Sequence, residues 1–497
     1  MIKILVDETQ AQLVGLDNLT VIDSISSQLS YMVPGSQYSQ LFRMGKWDGR
    51  ERLLTKQLKF PSGLVEQVCA ALKSFDVPYE VIESFRYPPG PLLIPALAPQ
   101  PYPYQLEVIK IALDKKGGTI QVATGGGKSI IIAYLACALG VSTMIYVVSL
   151  DLMIQLHSTI ESALGIKIGM IGGGHCSIEK ITVCSVWTAG LACGEKIAKS
   201  EDDEDSRQDS WSPSTAQRGD IVSAVRGAQA VMLDESQFAA ATSIRMILKN
   251  SVRACYKYGF SATPWRSSGD DILLEAAFGK KICSISGTEL IEQGYLVRPK
   301  IVFRDIPRHK TKLAKNWPSV KSNYIVNNDV RNDILVKNVL KLIEMGRKPL
   351  MLFRDIKHGQ ILHDLVSEHA RPLLINGESP EDDRLDLKRK FLGGEADVII
   401  SSGILDQGFD LPALDALVLC GGGKSSAKAL QRVGRVLRTN KAGGKTDAII
   451  VDTFDQSFFV NDHAVARHKA YLTEPGFVVK VEPAMDAFLK KTTGGGF

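Results

Sequence analysis

The run Ala123-Thr124-Gly125-Gly126-Gly127-Lys128-Ser129 stands between an apolar segment of strand length and one of helix length. Three consecutive glycines let backbone N–H groups close around an anion without Cβ clashes. A helix that starts there directs its positive end at the same anion. Lys128 is then placed to neutralise the β- and γ-phosphates of a nucleotide, and Ser129 to offer its hydroxyl to Mg2+. The strict phosphate-loop pattern is not met, because Val122 stands where its first glycine belongs. A second acidic signal follows the apolar run Ala230-Val231-Met232-Leu233, which ends in Asp234-Glu235-Ser236-Gln237. Alone, two carboxylates after a strand read as a solvated loop. Behind a phosphate loop in the same α/β segment, Asp234 reads as the Mg2+ ligand and Glu235 as the group that orients or deprotonates water. Further on, Gln431-Arg432-Val433-Gly434-Arg435-Val436-Leu437-Arg438 reads as helical. The spacing predicts Arg435 and Arg438 on one helical face, where two guanidiniums suit a triphosphate in its transition state.

These groups need a scaffold that repeats. Strand-length apolar runs at 119–123, 143–149, 180–185, 230–234 and 258–261 alternate with helix-length segments such as 129–139 and 150–164. Near-continuous apolar strands alternating with helices predict a parallel sheet covered on both faces. The rhythm restarts with strands at 349–353, 372–376, 397–401, 416–419 and 446–452, and helices at 360–369, 382–391 and 427–438. The first ninety or so residues read as a small α+β module, followed by a Pro-rich linker. The expected class is therefore α/β, with domains at 1–90, 91–290 and 291–480. A Ser-, Asp- and Glu-rich stretch, 199–219, reads as a mobile surface insertion, and 481–497 as a flexible tail. ATP is expected in the cleft between the two α/β domains.

Composition excludes several classes. The chain has 497 residues with a formal net charge of +5, too small to prove a nucleic-acid partner. Setting aside the acidic run 201–205 leaves a more basic remainder. The eight cysteines form no C-x-x-C pair, which argues against zinc and disulfide frameworks. No apolar stretch reaches about 18 residues, as a membrane span requires. The charged N-terminus is unlike a signal peptide, so a cytoplasmic protein is expected. Without a long heptad, a monomer is the default. In the N-terminal module, Arg43, Lys46, Arg50 and Arg52 surround Trp47, a pattern that suits duplex or junction DNA. The same residues also read as a hairpin turning at Asp48-Gly49 with Trp47 as its core.

Taken together, the motifs resemble those of superfamily 2 helicases. Pro103-Tyr104-Gln105 is similar to the glutamine motif, which implies adenine reading by Gln105. The phosphate loop is similar to motif I, which adds Thr124 to the nucleotide site, and 234–237 to motif II. Ser261-Ala262-Thr263-Pro264 resembles motif III, implying that Ser261 and Thr263 couple hydrolysis to strand movement. The segment 401–410 resembles motif V, which implies nucleotide contacts for Gly408 and Asp410, and 431–438 resembles motif VI, which brings in Gln431. Motif positions imply phosphate contacts to a single strand by Ser149, Gly173, Gly174 and Ser185, and by Lys357, Asn376, Gly377, Ser401 and Ser402. Residues 42–54 and 60–65 resemble the N-terminal domain of the UvsW family of phage recombination helicases, and 352–359 that family's motif IV. The resemblance implies two RecA-like domains, ATP with Mg2+, and branched DNA as substrate, with recombination or single-strand-binding proteins as candidate partners. Motif II reads DESQ here where the phage enzymes carry a DECH-like box, and the insertion 199–219 departs from the family pattern.

Overall fold

Every second residue of β1 (Ile2–Val6) is buried, the pattern of a strand with one face on a core. It pairs antiparallel with β2 (Gln10–Val14). A separate antiparallel ribbon joins β3 (Ser30–Met32) to β4 (Arg50–Arg52). With β5 (Lys59–Pro61) against β2, and β6 (Tyr79–Glu83) parallel to β1, the main N-terminal sheet runs β5-β2-β1-β6. Helices Leu19–Gln28 and Val65–Ser74 contribute Val21, Ile25, Val68 and Leu72 to its core, beside Ile4, Leu13 and Phe60. The structure, a computed structural model, describes all residues except 34, 89–99, 195–210, 240, 263–270, 309–316, 377–385, 387–388, 403–410, 412, 422, 424–425, 441–443, 458–459 and 494–497.

The chain divides into two compact units that change over between Ser284 and Ile285, with the loop residues Ala123–Gly126 grouped with the second. The first holds the N-terminal module together with an eight-stranded sheet. Its strands are β7 (Gly117–Val122), β8 (Thr143–Val147), β9 (Gly169–Gly172), β10 (His175–Ser177), β11 (Ile181–Ser185), β12 (Ala230–Asp234), β13 (Tyr256–Ser261) and β14 (Lys281–Ile285), in the order β10-β9-β11-β8-β12-β13-β7-β14. β8, β11 and β12 are buried along their whole length. The N-terminal module is packed on this sheet. Ile272 and Ala276 sit against its core, and a Cβ on Gly63 would stand 2.2 Å from the Glu275 carbonyl oxygen. Lys257 donates to the Glu8 carbonyl and to Ser62 Oγ. Burial pulls its pKa down to about 8.

The second unit carries β15 (Arg298–Ile306), β16 (Pro349–Leu352), β17 (Pro372–Ile375), β18 (Val398–Ser401), β19 (Ala416–Leu419), β20 (Asp447–Asp455) and β21 (Val478–Val481), ordered β17-β18-β16-β19-β20-β15-β21. All its registered pairs are parallel. Both α/β units thus have the parallel-sheet, RecA-like architecture that the sequence predicts. No described helix is long and apolar enough to cross a membrane.

Four expectations need correction. The β9–β10 hairpin, β14, β15 and β21 lie outside the predicted strands. Helix Thr215–Gly227 begins inside the stretch read as a mobile insertion, with Ser214 and Gln217 forming its capping box. The segment read as a flexible tail contains helix Pro483–Thr493, whose first amides, Ala484 and Met485, donate to the Asp305 carboxylate. Finally, β3 and β4 are joined by a long excursion, so Asp48-Gly49 is not a two-residue hairpin turn.

Candidate active site in the first unit

Strand order brings the chemistry together. β12, β13 and β7 are neighbours, with Asp234 opposite Phe260 and Ser261 opposite Gln121. The phosphate loop, Asp234 and Ser261 therefore leave the sheet side by side at its carboxyl edge, where α/β sheets bind ligands. In the loop, Gly125 and Gly127 have φ of 87° and 70°, conformations that a side chain would strain. Gly127 caps helix Lys128–Leu139, so Lys128 and Ser129 occupy its first turn.

Lys128 Nζ lies 3.2 Å from Glu235 Oε1, and both side chains are largely buried. Gln237 Nε2 donates to Glu235 Oε2 over 2.7 Å, and Ser261 Oγ donates to Gln237 Oε1. A continuous polar chain thus runs from the loop lysine to the end of β13. Gln237 is the functional residue that motif reading missed. Its signal is the glutamine itself, one of the two positions where DESQ departs from a DECH-like box. Glu235 has φ of +57°, the left-handed region that a non-glycine residue rarely adopts, and such strain collects at functional sites. Asp234 is 6% exposed. Burial raises its pKa to about 6, against the pull of Lys128.

The residues fit a magnesium–nucleotide complex. Thr124 Oγ1 is buried in the loop with no hydrogen-bond partner, a donor that a phosphate oxygen would satisfy. Among the described residues no three His, Cys, Asp or Glu side chains cluster to hold a metal. Mg2+ characteristically takes one or two protein oxygens plus phosphates, a set that Asp234 with Ser129 would supply.

Gln105 has a local task. Its Oε1 accepts the Tyr102 amide in the capping box of helix Pro103–Lys115, and it is only 3% exposed. Its amide abuts the phosphate loop, where a Cβ on Gly127 would lie 2.4 Å from Gln105 Nε2.

The second-unit arginines differ from expectation. Helix Ser426–Arg435 contains Gln431 and ends at Arg435. Arg438 lies beyond the helix, in a bridge with Leu296. The two guanidiniums therefore do not share a helical face. Gly408, Asp410, Thr263 and Gly377 lie outside the described residues.

The predicted strand contacts divide into two kinds. Ser149 and Ser185 are 1% exposed and cap the helices that follow them, accepting from the Leu152 and Thr188 amides. Their hydroxyls are committed to the fold. Gly173 and Gly174 are exposed at the β9–β10 turn, both with positive φ. Lys357 is exposed on the first turn of helix Ile356–Ser367. Asn376 and Ser402 follow the ends of β17 and β18; Ser401 ends β18 and donates to the Ser402 carbonyl. In the N-terminal module Arg43, Lys46, Arg50 and Arg52 are all exposed. Arg50 donates to Ser30 Oγ, and Arg52 pairs with Asp48.

Three family models match the chain: the DNA helicase UvsW N-terminal domain over residues 4–82, the type III restriction enzyme res subunit over 98–266, and the helicase conserved C-terminal domain over 332–440. The ATP-dependent DNA helicase uvsW of Enterobacteria phage T4 is 24% identical over 469 residues, covering 86% of each chain. A DNA 3'-5' translocase, XPB2 of Sulfurisphaera tokodaii, is 24% identical over 74% of this chain and 84% of its own. Among solved structures, Saccharomyces cerevisiae Dbp5 bound to RNA and ADP BeF3 superposes with a TM-score of 0.51 at 13% identity, over 80% of this chain and 97% of that one. The matches cover the N-terminal module and both α/β units in chain order: the protein is an ATP-dependent helicase of superfamily 2, related to UvsW.

Proposed function

We propose that the protein is a DNA helicase or translocase that remodels branched DNA, by fork regression, junction branch migration, or D-loop or R-loop unwinding, in recombination, repair and replication. The observation that supports this reading is the exposed cluster Arg43, Lys46, Arg50 and Arg52 on an N-terminal module packed against the sheet that positions Lys128 and Asp234, with fold contacts at Lys257, Gly63 and Ile272.

When bound, Mg2+ supplies charge neutralisation at the phosphates. Lys128 holds the β- and γ-phosphates, Asp234 and Ser129 take the metal, and Glu235 accepts a proton from the attacking water. Gln431, Arg435 and Arg438 are assigned to the γ-phosphate, Gly408 and Asp410 to sensing the nucleotide, and Gln105 to the adenine on motif resemblance. Thr263 shares the coupling role of Ser261 on the same ground. Gly173, Gly174, Lys357, Asn376, Gly377, Ser401 and Ser402 are assigned to the phosphates of the tracked strand. Host cytoplasm and a monomer working beside recombination or single-strand-binding proteins complete the reading.

Strand displacement on forked DNA, compared with plain duplex, tests the proposal. A clear preference for the fork is expected, and equal rates would remove the branched substrate. DNA and RNA of one sequence should differ in ATPase stimulation, with DNA the stronger; stronger stimulation by RNA would favour an RNA helicase. ATP turnover without displacement of any strand would favour an ATP-gated annealing protein.

A further inference from the structure

The excursion between β3 and β4 carries an apolar face that nothing in the fold uses. Tyr38, Leu41 and Met44 recur at every third position across the short turns Ser36–Tyr38 and Gln40–Arg43, and they are 73%, 54% and 54% exposed. Leu41 and Met44 are three apart along the second turn and its cap, which puts them on one side, and Tyr38 ends the first turn just before the extended Ser39. Phe42 faces the other way, since a Cβ on Gly49 would stand 2.9 Å from its ring.

The excursion is held in shape. Val33 N donates to the Gly49 carbonyl, closing its base. Lys46 N donates to the Leu41 carbonyl, Arg43 Nε to the Gln37 carbonyl, and Trp47 Nε1 to the Arg50 carbonyl. Ordinary exposed apolar groups on a protein occur singly. Three on one braced projection are a presented surface.

Charge identifies what that surface meets. Residues 35–47 contain Arg43 and Lys46 and no carboxylate, and both cations are exposed. An aromatic and two aliphatic side chains on the same projection as two exposed cations match a nucleic acid whose stacked bases are opened while its phosphates are held. Opening a base step costs least where stacking is already interrupted, which is at a branch point.

We propose that Tyr38, Leu41 and Met44 form a wedge that enters the branch point of forked DNA and separates its first base pair, while Arg43 and Lys46 hold the flanking phosphates. This rests on the branched-DNA reading and deepens it.

The test places 2-aminopurine at the first paired position beside a synthetic fork and titrates the full-length protein to saturation without nucleotide. Wild type should raise the fluorescence. The triple substitution Tyr38→Ala, Leu41→Ala, Met44→Ala should cut that rise at least fivefold at saturation and slow fork unwinding by about tenfold, the scale of one lost stacking contact. Its ATPase stimulated by single strands should stay within about twofold, since exposed positions usually tolerate truncation. Arg43→Gln with Lys46→Gln should weaken fork affinity and shallow its salt dependence by about two phosphate contacts, with the fluorescence rise regained at saturating protein. A triple variant that opens the fork as wild type does overturns the wedge. So does a wild type that shows DNA-stimulated ATPase but no fluorescence rise; the helicase reading survives both. Absence of DNA-stimulated ATPase in wild type sinks the helicase reading itself.

Discussion

Both α/β units bury ionic groups at the edge of a parallel sheet, and they do it differently. In the second unit Arg331 is fully buried, with donors to Asp455, Cys420 O and Thr453 Oγ1. Arg467 grips Asp452 through two bonds of 2.9 and 2.7 Å, and Tyr471 adds a third donor to the same carboxylate. These charges are paired and saturated. In the first unit Lys128 meets Glu235 at 3.2 Å and Asp234 carries a raised pKa, while Thr124 Oγ1 in the phosphate loop has no partner. The first site includes a buried hydroxyl that a phosphate oxygen would satisfy; the second network holds the sheet together.

The largest effect should come from breaking the closed network. Arg467→Ala strands the Asp452 carboxylate in the interior, and losing one partner of a buried pair costs about 3–5 kcal/mol. Thermal denaturation should show a large fall in stability. Arg467→Met with Asp452→Leu should recover much of it, because a buried pair replaced whole by apolar groups is often neutral or better. The open network should respond the other way. Glu235→Gln, which keeps the hydrogen bonds of the site, should reduce DNA-stimulated ATP hydrolysis by about 10²–10⁴-fold with little change in melting temperature, and Lys128→Ala should reduce hydrolysis as much. Wild-type turnover in either variant would contradict the site.

Acidity separates two buried groups, one in each unit, by sign. Asp234 titrates at about 6 against an ordinary 3.8. Its protonated form cannot ligate Mg2+, so ATPase activity should rise with pH through about 6. More Mg2+ should move this limb to lower pH, because metal and proton compete. For stability, the folded state holds this proton more tightly than the unfolded chain. Asp234 therefore adds stability as pH falls from about 6 toward 3.8. His358 is opposite. It is buried, hydrogen-bonded to Asn332 Oδ1, and driven by burial from 6.5 to about 3. Its contribution is present above 6.5 and is lost as pH falls from 6.5 toward 3. Melting curves between pH 4 and 7 should show Asp234→Asn and His358→Gln flattening opposite slopes relative to wild type.

The contrast also separates what the sequence discloses from what it hides. The phosphate loop and the Asp234–Glu235 pair are local: a loop or strand end declares them, and strand register then places them side by side. Arg331 with Asp455 and Arg467 with Asp452 join distant segments, so nothing in their spacing announces them. Arg438 was misplaced on a helix face because the helix stops at Arg435, where the chain turns to pair with Leu296. That stop is a tertiary event. Helix Pro483–Thr493 was read as a tail because its anchor, Asp305, lies on β15. Ser149 and Ser185 were read as phosphate contacts from motif position, whereas a serine preceding a helix is a cap by local rules.

The smallest effect concerns the far end of the open network, where Ser261 Oγ meets Gln237 Oε1. Gln237 spans from Glu235 to the end of β13, so it can report the state of the water-activating carboxylate to the segment that follows that strand. Gln237→Ala removes a hydrogen bond to a charged group, worth about 1.5–3 kcal/mol, and should lower turnover roughly tenfold. Ser261→Ala removes a neutral bond worth about 0.5–1.5 kcal/mol and leaves Gln237 on Glu235. Hydrolysis should then fall only a few-fold, while base pairs opened per ATP fall further. The ratio of displacement rate to ATPase rate, measured on one forked substrate, is the quantity to follow. If Ser261→Ala lowers both rates in proportion, the polar chain serves catalysis alone and the coupling role of Ser261 is lost.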